Sequence, residues 1–189
     1  MKKIKSYVLI LASGGIDSTA CINFYKKLNF EIEVLFIDYG QPSNRKEHHA
    51  ISLITKYYQV KLFTIKVSNI QKFKDGFIKG RNAFFMFTGL MNFSRKNGII
   101  SLGIHKGTNY YDCSEDFSID LQKIFDKYSN ETIKIGIPFL KFKKNEIFDY
   151  CLLENVPVNL TYSCELGLRQ PCGKCLTCKD LIAIYDNKK

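Results

Sequence analysis

The chain has 189 residues, 46% hydrophobic and 14% aromatic, which suits one domain with a sizeable core and excludes a disordered chain. Its formal net charge of +10 favours anionic partners such as nucleotides, but the lysines are scattered and form no basic block, so nucleic acid is not the expected partner. Seven cysteines, four of them crowded between residues 164 and 178, exclude a disulfide framework and read as a reduced, cytoplasmic protein with a metal site; no apolar run is long enough to cross a membrane.

Tyr7 to Ala12 is predicted as a first strand, and Ser18 to Leu28 as the helix after it. Between them stands Ser13-Gly14-Gly15-Ile16-Asp17-Ser18-Thr19. Glycines reach positive φ and let backbone N–H groups approach an anion closely. The helix start aims its positive end at the same place, and Ser13, Ser18 and Thr19 add hydroxyl donors. Asp17 fits an anion site only beside a cation, which magnesium on a phosphate would supply. The lysine of the common phosphate loop is missing. A signal peptide is not expected, because cleavage near Ala12 would destroy the glycine loop.

Glu31 to Asp38 is the second strand, ending in Asp38-Tyr39-Gly40-Gln41, a polar cluster placed to meet an adenosine or its metal. A helix over Asn44 to Tyr58, a third strand over Lys61 to Val67 and a lysine-rich loop over Ser68 to Lys79 follow. Gly80-Arg81-Asn82 opens a helix predicted to reach Lys96; Asn82 caps it, and Arg81 can neutralise a carboxylate or phosphate. After a fourth strand, Gly98 to Ile104, Tyr110-Tyr111-Asp112-Cys113 offers an aromatic face and an acid for a guanine-like edge. A helix over Glu115 to Tyr128, a fifth strand over Thr132 to Ile137 and a helix over Lys144 to Glu154 complete the pattern, with Lys144 projecting from its helix start toward the site. This alternation predicts an α/β fold, a Rossmann-like, doubly wound parallel sheet of five strands over residues 1–157, with ligands at the carboxyl ends of its strands.

Residues 158–189 form a C-terminal appendage in which Cys164, Cys172, Cys175 and Cys178 follow a C-x7-C-x2-C-x2-C spacing. Four thiolates at this density close a tetrahedral zinc shell; an iron–sulfur cluster is the rival occupant.

The serine–glycine loop resembles that of the PP-loop ATP pyrophosphatases, whose shared step adenylates a carbonyl or carboxyl oxygen and expels pyrophosphate. The resemblance implies that residues Ala12 to Thr19, with Asp38, Tyr39, Gly40 and Gln41, bind the nucleotide, and that a lysine serving the γ-phosphate is not needed. The ordered set SGGIDST, DYGQ, GRN, YDC, P-x5-K-x-E-I and TYSC with CGKCLTC, from Val8 to about Lys179, resembles the 7-cyano-7-deazaguanine synthase (QueC) family of queuosine biosynthesis. That family converts 7-carboxy-7-deazaguanine, ammonia and ATP to the nitrile, carries Zn²⁺ and is often homodimeric. The resemblance implies Asp17 and Lys144 as catalytic groups, Arg81, Asn82, Tyr111 and Asp112 as substrate contacts, ATP with Mg²⁺, and the four cysteines as zinc ligands. Three segments depart from the pattern: Pro42-Ser43 replaces Arg-His, Phe77-Ile78-Lys79 replaces a longer segment, and the loop before Asp112 is short, with Tyr111 in place of a proline. These departures leave open a paralogue that adenylates a related acid and passes it to another amine, perhaps on a protein partner. The three histidines match no family position. A tRNA-modifying PP-loop enzyme would need Cys21 and Cys113 close together.

Overall fold

The computed structural model describes residues 6–68, 78–107 and 110–186. Strands β1 (Tyr7–Leu11), β2 (Glu31–Asp38), β3 (Lys61–Lys66), β4 (Gly98–Leu102) and β5 (Ile133–Gly136) form one parallel sheet in the order β3-β2-β1-β4-β5. Helices α1 (Ile16–Lys27), α2 (Asn44–Tyr58), α3 (Arg81–Met91), α4 (Glu115–Ser129) and α5 (Lys144–Leu153) cover its faces. The lysine-rich loop read from the sequence falls mostly on residues 69–77, outside the described ones.

The inner strands β1, β2 and β4 are largely apolar because both their faces are buried, as in other helix-covered parallel sheets. Alternate residues serve opposite cores. Val8, Ile10, Val34 and Phe36 meet α1, α2 and α5 through Ile22, Ile51 and Ile147, while Leu9, Leu11, Leu35 and Ile37 meet α3 and α4 through Met86, Leu121 and Phe125. β3 is the half-exposed edge, and its Lys61 and Lys66 are the charges that discourage further strand pairing. The chain runs outward from β1 through β2 to β3, then returns to place β4 on β1's other side. The gap between β1 and β4 is therefore the switch point where such sheets bind ligands.

Two elements differ from expectation. The helix opening at Arg81 ends at Met91, not Lys96. Phe93 turns back so that its ring meets Tyr7 edge-on at 5.2 Å, and Gly98 (φ +149°) enters β4 so close to Tyr7 that a Cβ would lie 2.7 Å from the Tyr7 carbonyl oxygen. A longer helix could not make that return. The cysteine segment also carries a helix that its metal-site pattern obscured, α6 (Leu176–Asp186). Its Ile184 is buried in the α1–α2–α5 core, and Tyr185 meets Phe148 at 5.3 Å.

Candidate active site

The loop after β1 turns through Gly14 at φ +82°, where a Cβ would lie 2.8 Å from the backbone nitrogen of Ile51. Only glycine lets this loop press against α2. Gly15 then caps α1, and its carbonyl accepts from Thr19 Oγ1 at 2.8 Å and Ser18 Oγ at 3.0 Å. Thr19 and Ile16 are buried in the fold, so they shape the loop from within. Asp17 follows in the first turn of α1. Lys144, the first residue of α5, donates through its ammonium to Asp17 Oδ2, and His105 Nε2 stands 4.0 Å from the same oxygen. His105 Nδ1 faces the Lys106 carbonyl at 2.8 Å, which holds the ring's other nitrogen toward Asp17. Asp17 Oδ1 is buried with no hydrogen-bond partner among the described residues.

His105 was not expected here. It reaches Asp17 because β4 is followed directly by Gly103, where a Cβ would sit 2.9 Å from the Asp17 carbonyl carbon and the Ser18 nitrogen. Gly103→Ala is expected to push β4 off the start of α1, lowering stability by about 1–3 kcal/mol and impairing turnover. Urea unfolding read beside pyrophosphate release checks this.

A cavity of about 190 Å³ opens at the switch point. The loop after β1 forms one wall through Ala12, Ser13, Gly15, Asp17 and Ser18, and Arg81 and Asn82 stand on α3 at another. Tyr39, Gln41 and Glu47 line it from the β2 side. A larger hollow, about 550 Å³, lies at the sheet's other end beside Phe87, Met91 and Tyr128, far from these groups.

The remaining predicted residues divide by what they touch. Gln41 is held tightly: its Oε1 accepts from the Tyr39 N–H at 3.0 Å, and its Nε2 donates to Glu47 Oε2 at 2.8 Å. Asp38 Oδ1 accepts from the Gly40 N–H at 3.0 Å, where Gly40 takes φ +84°. Burial pushes the Tyr39 phenol up, against the nearby Arg81 guanidinium that lowers it. Asp112 Oδ2 accepts from the Asn82 N–H at 3.1 Å, and its carbonyl accepts from the Asn82 side chain at 3.0 Å. Tyr111 is exposed and donates to Asp120 at 2.8 Å. Neither Tyr111 nor Asp112 lines the cavity. Cys21 and Cys113 pack into cores on opposite faces of the sheet, so they are not brought together.

The tail folds back over the loop. The Tyr162 N–H donates to the Gly14 carbonyl at 3.0 Å. Gly167 (φ +68°) sits so near Pro42 that a Cβ would lie 2.3 Å from its carbonyl oxygen. The replaced pair Pro42-Ser43 therefore faces the tail, and Ser43 is buried there. The sulfurs of Cys164, Cys172, Cys175 and Cys178 all lie within 4.8 Å of one another, with Cys172 and Cys178 3.8 Å apart. A tetrahedral ion with about 2.3 Å bonds to sulfur spaces its thiolates by about 3.8 Å. An iron–sulfur cube sets each thiolate on a different iron and spreads them further. The set fits a single ion. Backbone N–H groups of Cys175 and Lys174 pull the Cys172 thiol down, whereas burial pushes the Cys178 thiol up.

No helix among the described residues is long and apolar enough to cross a membrane. Solved structures that resemble the chain include the U34-tRNA thiolase NcsA from Methanococcus maripaludis with its [4Fe-4S] cluster (TM-score 0.58, 16% identity, 98% of this chain and 67% of that one). NMN synthetase from Francisella tularensis is another (TM-score 0.56, 17% identity, 98% and 79%). At these identities they establish the shared fold. Among curated proteins, 7-cyano-7-deazaguanine synthase of Prochlorococcus marinus (strain AS9601) is 28% identical over 95% of this chain and 93% of its own length. The enzyme of that name from Campylobacter jejuni subsp. jejuni serotype O:6 is 28% identical over 90% and 89%. The family model described as "Queuosine biosynthesis protein QueC" matches residues 7–76 and 70–185, nearly all of the sheet, loop and cysteine segment described above. The chain therefore belongs to the QueC family and is an ATP-dependent synthase.

Proposed function

We propose that the chain adenylates 7-carboxy-7-deazaguanine and, with ammonia, converts it to 7-cyano-7-deazaguanine. The observation that carries this reading is the switch-point cavity of a QueC-family chain, walled by the serine–glycine loop with Asp17 and by Arg81 and Asn82, with Lys144 held on Asp17 behind that wall. A carboxylate is a poor electrophile, and ATP makes AMP its leaving group. The acid oxygen attacks the α-phosphorus, pyrophosphate departs, ammonia displaces AMP and an amide forms. A second adenylation at the amide oxygen, followed by loss of AMP, leaves the nitrile.

In this reading the loop residues Ser13 to Ser18 hold the leaving pyrophosphate. Lys144 supplies the positive charge that the loop lacks. The unpartnered Asp17 Oδ1 suits the magnesium that accompanies ATP. Arg81 and Asn82 meet the acid, with Asp112 fixing Asn82 from behind and Tyr111 outside it. The cysteines hold zinc in a closed shell that braces the loop and supplies no open ligand position. Positioning and charge neutralisation then do most of the catalysis.

The test is purified protein with ATP, Mg²⁺, ammonia and 7-carboxy-7-deazaguanine, followed by mass spectrometry. The nitrile is the expected product, with AMP and pyrophosphate formed twice per nitrile. AMP release without nitrile would shift the assignment to a paralogue that hands its acyl group to a different amine. No ATP turnover with this acid would overturn the proposal.

A further inference from the structure

An acid that reads a guanine-like edge was expected at Asp112, but that carboxylate is turned to the Asn82 backbone and does not line the cavity. Two acidic side chains do line it, Asp17 and Glu47. Asp17 already carries the Lys144 ammonium. Glu47, in the first turn of α2, accepts one hydrogen bond on each oxygen: from Ser43 Oγ to Oε1 at 2.7 Å, and from Gln41 Nε2 to Oε2 at 2.8 Å. These two donors fix the carboxylate plane. Four lone-pair sites serve a carboxylate, so each oxygen keeps acceptor capacity. Burial pushes this carboxyl up, and the Gln41 and Ser43 hydrogen bonds and the Arg81 charge only partly offset it. A desolvated carboxylate with spare acceptor capacity on a cavity wall favours a ligand that brings donors.

We infer that Glu47 is the specificity-determining residue that accepts the paired N–H donors of a guanine-type ring, N1–H on one oxygen and the 2-amino group on the other. This rests on the deazaguanine acid being the substrate. The geometry suits that ring in two further ways. A carboxylate held at both oxygens offers two parallel acceptors, which match two adjacent donors on one ring edge; adenine offers one donor beside an acceptor and matches less well. Tyr39 and Phe85, with ring centroids 5.4 Å apart, stand on the same cavity and give the flat ring an aromatic wall. Arg81 on α3 remains to take the carboxylate to be adenylated. The base would thus be held at its donor edge from the β2 side and its acid held from α3.

The experiment compares 7-carboxy-7-deazaguanine with its analogue lacking the 2-amino group, in wild type and in Glu47→Gln. Wild-type turnover of the full acid is measured first. With that established, the wild type is expected to lose roughly 10- to 100-fold in kcat/KM on the analogue, the size of one hydrogen bond to a charged group. Glu47→Gln is expected to raise KM for the full acid by a similar factor, to leave KM for ATP within about threefold, and to shrink the penalty for the analogue toward one. That loss of discrimination is the readout that a merely structural role would not produce. Equal wild-type turnover of the two acids overturns the inference, even where Glu47→Gln fails to fold. A rise in KM for ATP with an unchanged KM for the acid also overturns it, by assigning Glu47 to the adenine. No wild-type turnover of the full acid overturns both the proposed function and the inference; turnover without an effect of Glu47 overturns the inference alone.

Discussion

Asp17→Ala is expected to lower the rate of pyrophosphate release about 100- to 1,000-fold, the scale seen when an electrostatic group aimed at developing charge is removed. The geometry makes a second, separable prediction. Asp17 and Lys144 expose 18% and 15% of their side chains, and Lys144 donates directly to Asp17 Oδ2. Removing the carboxylate strands an ammonium in a mostly buried place. Breaking a fully buried pair costs about 3–5 kcal/mol, and the residual exposure here reduces that to about 2 kcal/mol. Adding Lys144→Met to Asp17→Ala replaces the stranded charge by an apolar chain of similar length. The double variant is expected to recover most of the stability, read by urea midpoint, and none of the pyrophosphate release. A double variant that regained activity would show Asp17 acting only as Lys144's structural partner. Retained turnover in Asp17→Ala itself would remove it from the chemistry altogether.

Asp17 and Lys144 are legible in the sequence as two separate residues, 127 positions apart, and the fold explains why. Both sit at helix starts that follow strand ends, and in a doubly wound sheet all such points converge on one edge. The strand runs were equally plain, because a strand buried on both faces has no polar side to confuse with a helix. What escaped was what depends on direction rather than placement. His105 also follows a strand end, but nothing in Gly103-Ile104-His105 says that Gly103 will bring β4 against α1 and turn the imidazole toward Asp17. Glu47 sits in Asn44-Arg45-Lys46-Glu47, where an acid in a helix's first turn reads as compensation of the helix dipole. Only the hydrogen bonds from Gln41 and Ser43, and the cavity beside them, set it apart. α6 is obscured in the sequence because a metal-ligand spacing already accounts for Cys175 and Cys178, while Leu181 and Ile184 fill the core behind them. The departures at Pro42-Ser43 looked like changes on the substrate side. In the fold neither residue lines the cavity and Gly167 of the tail presses on the pair, so the change acts at one remove: the buried Ser43 hydroxyl donates to Glu47 Oε1, which does line it.

Stripping the metal, or Cys175→Ser, is expected to disable nucleotide binding as well as to destabilise the protein. Four sulfurs within 4.8 Å of one another cannot all stay thiolates without an ion between them, so the bare set protonates, repels or oxidises. The segment they fix then loses its hold. That segment contains Tyr162, whose N–H donates to the Gly14 carbonyl of the phosphate loop, and Gly167, which packs on Pro42 beside the turn after Gln41. It also contains Glu165, whose carboxylate accepts from the Thr177 hydroxyl at 2.7 Å at the start of α6. Losing one ligand of four is expected to cost about 3 kcal/mol, which for a chain of this size lowers Tm by about 10 °C. The nucleotide should bind about tenfold more weakly even at temperatures where the sheet stays folded, because the loop's outer support has gone while its strand and helix remain. Metal content by atomic emission, Tm by calorimetry and ATP affinity by titration calorimetry, taken on one preparation before and after chelation, separate these effects. Unchanged ATP affinity in a chelated, folded protein would make the cysteine segment a stabilising appendage with no bearing on the loop. If stability and affinity fall together and both return when zinc is added back, the ion belongs to the architecture of the phosphate site.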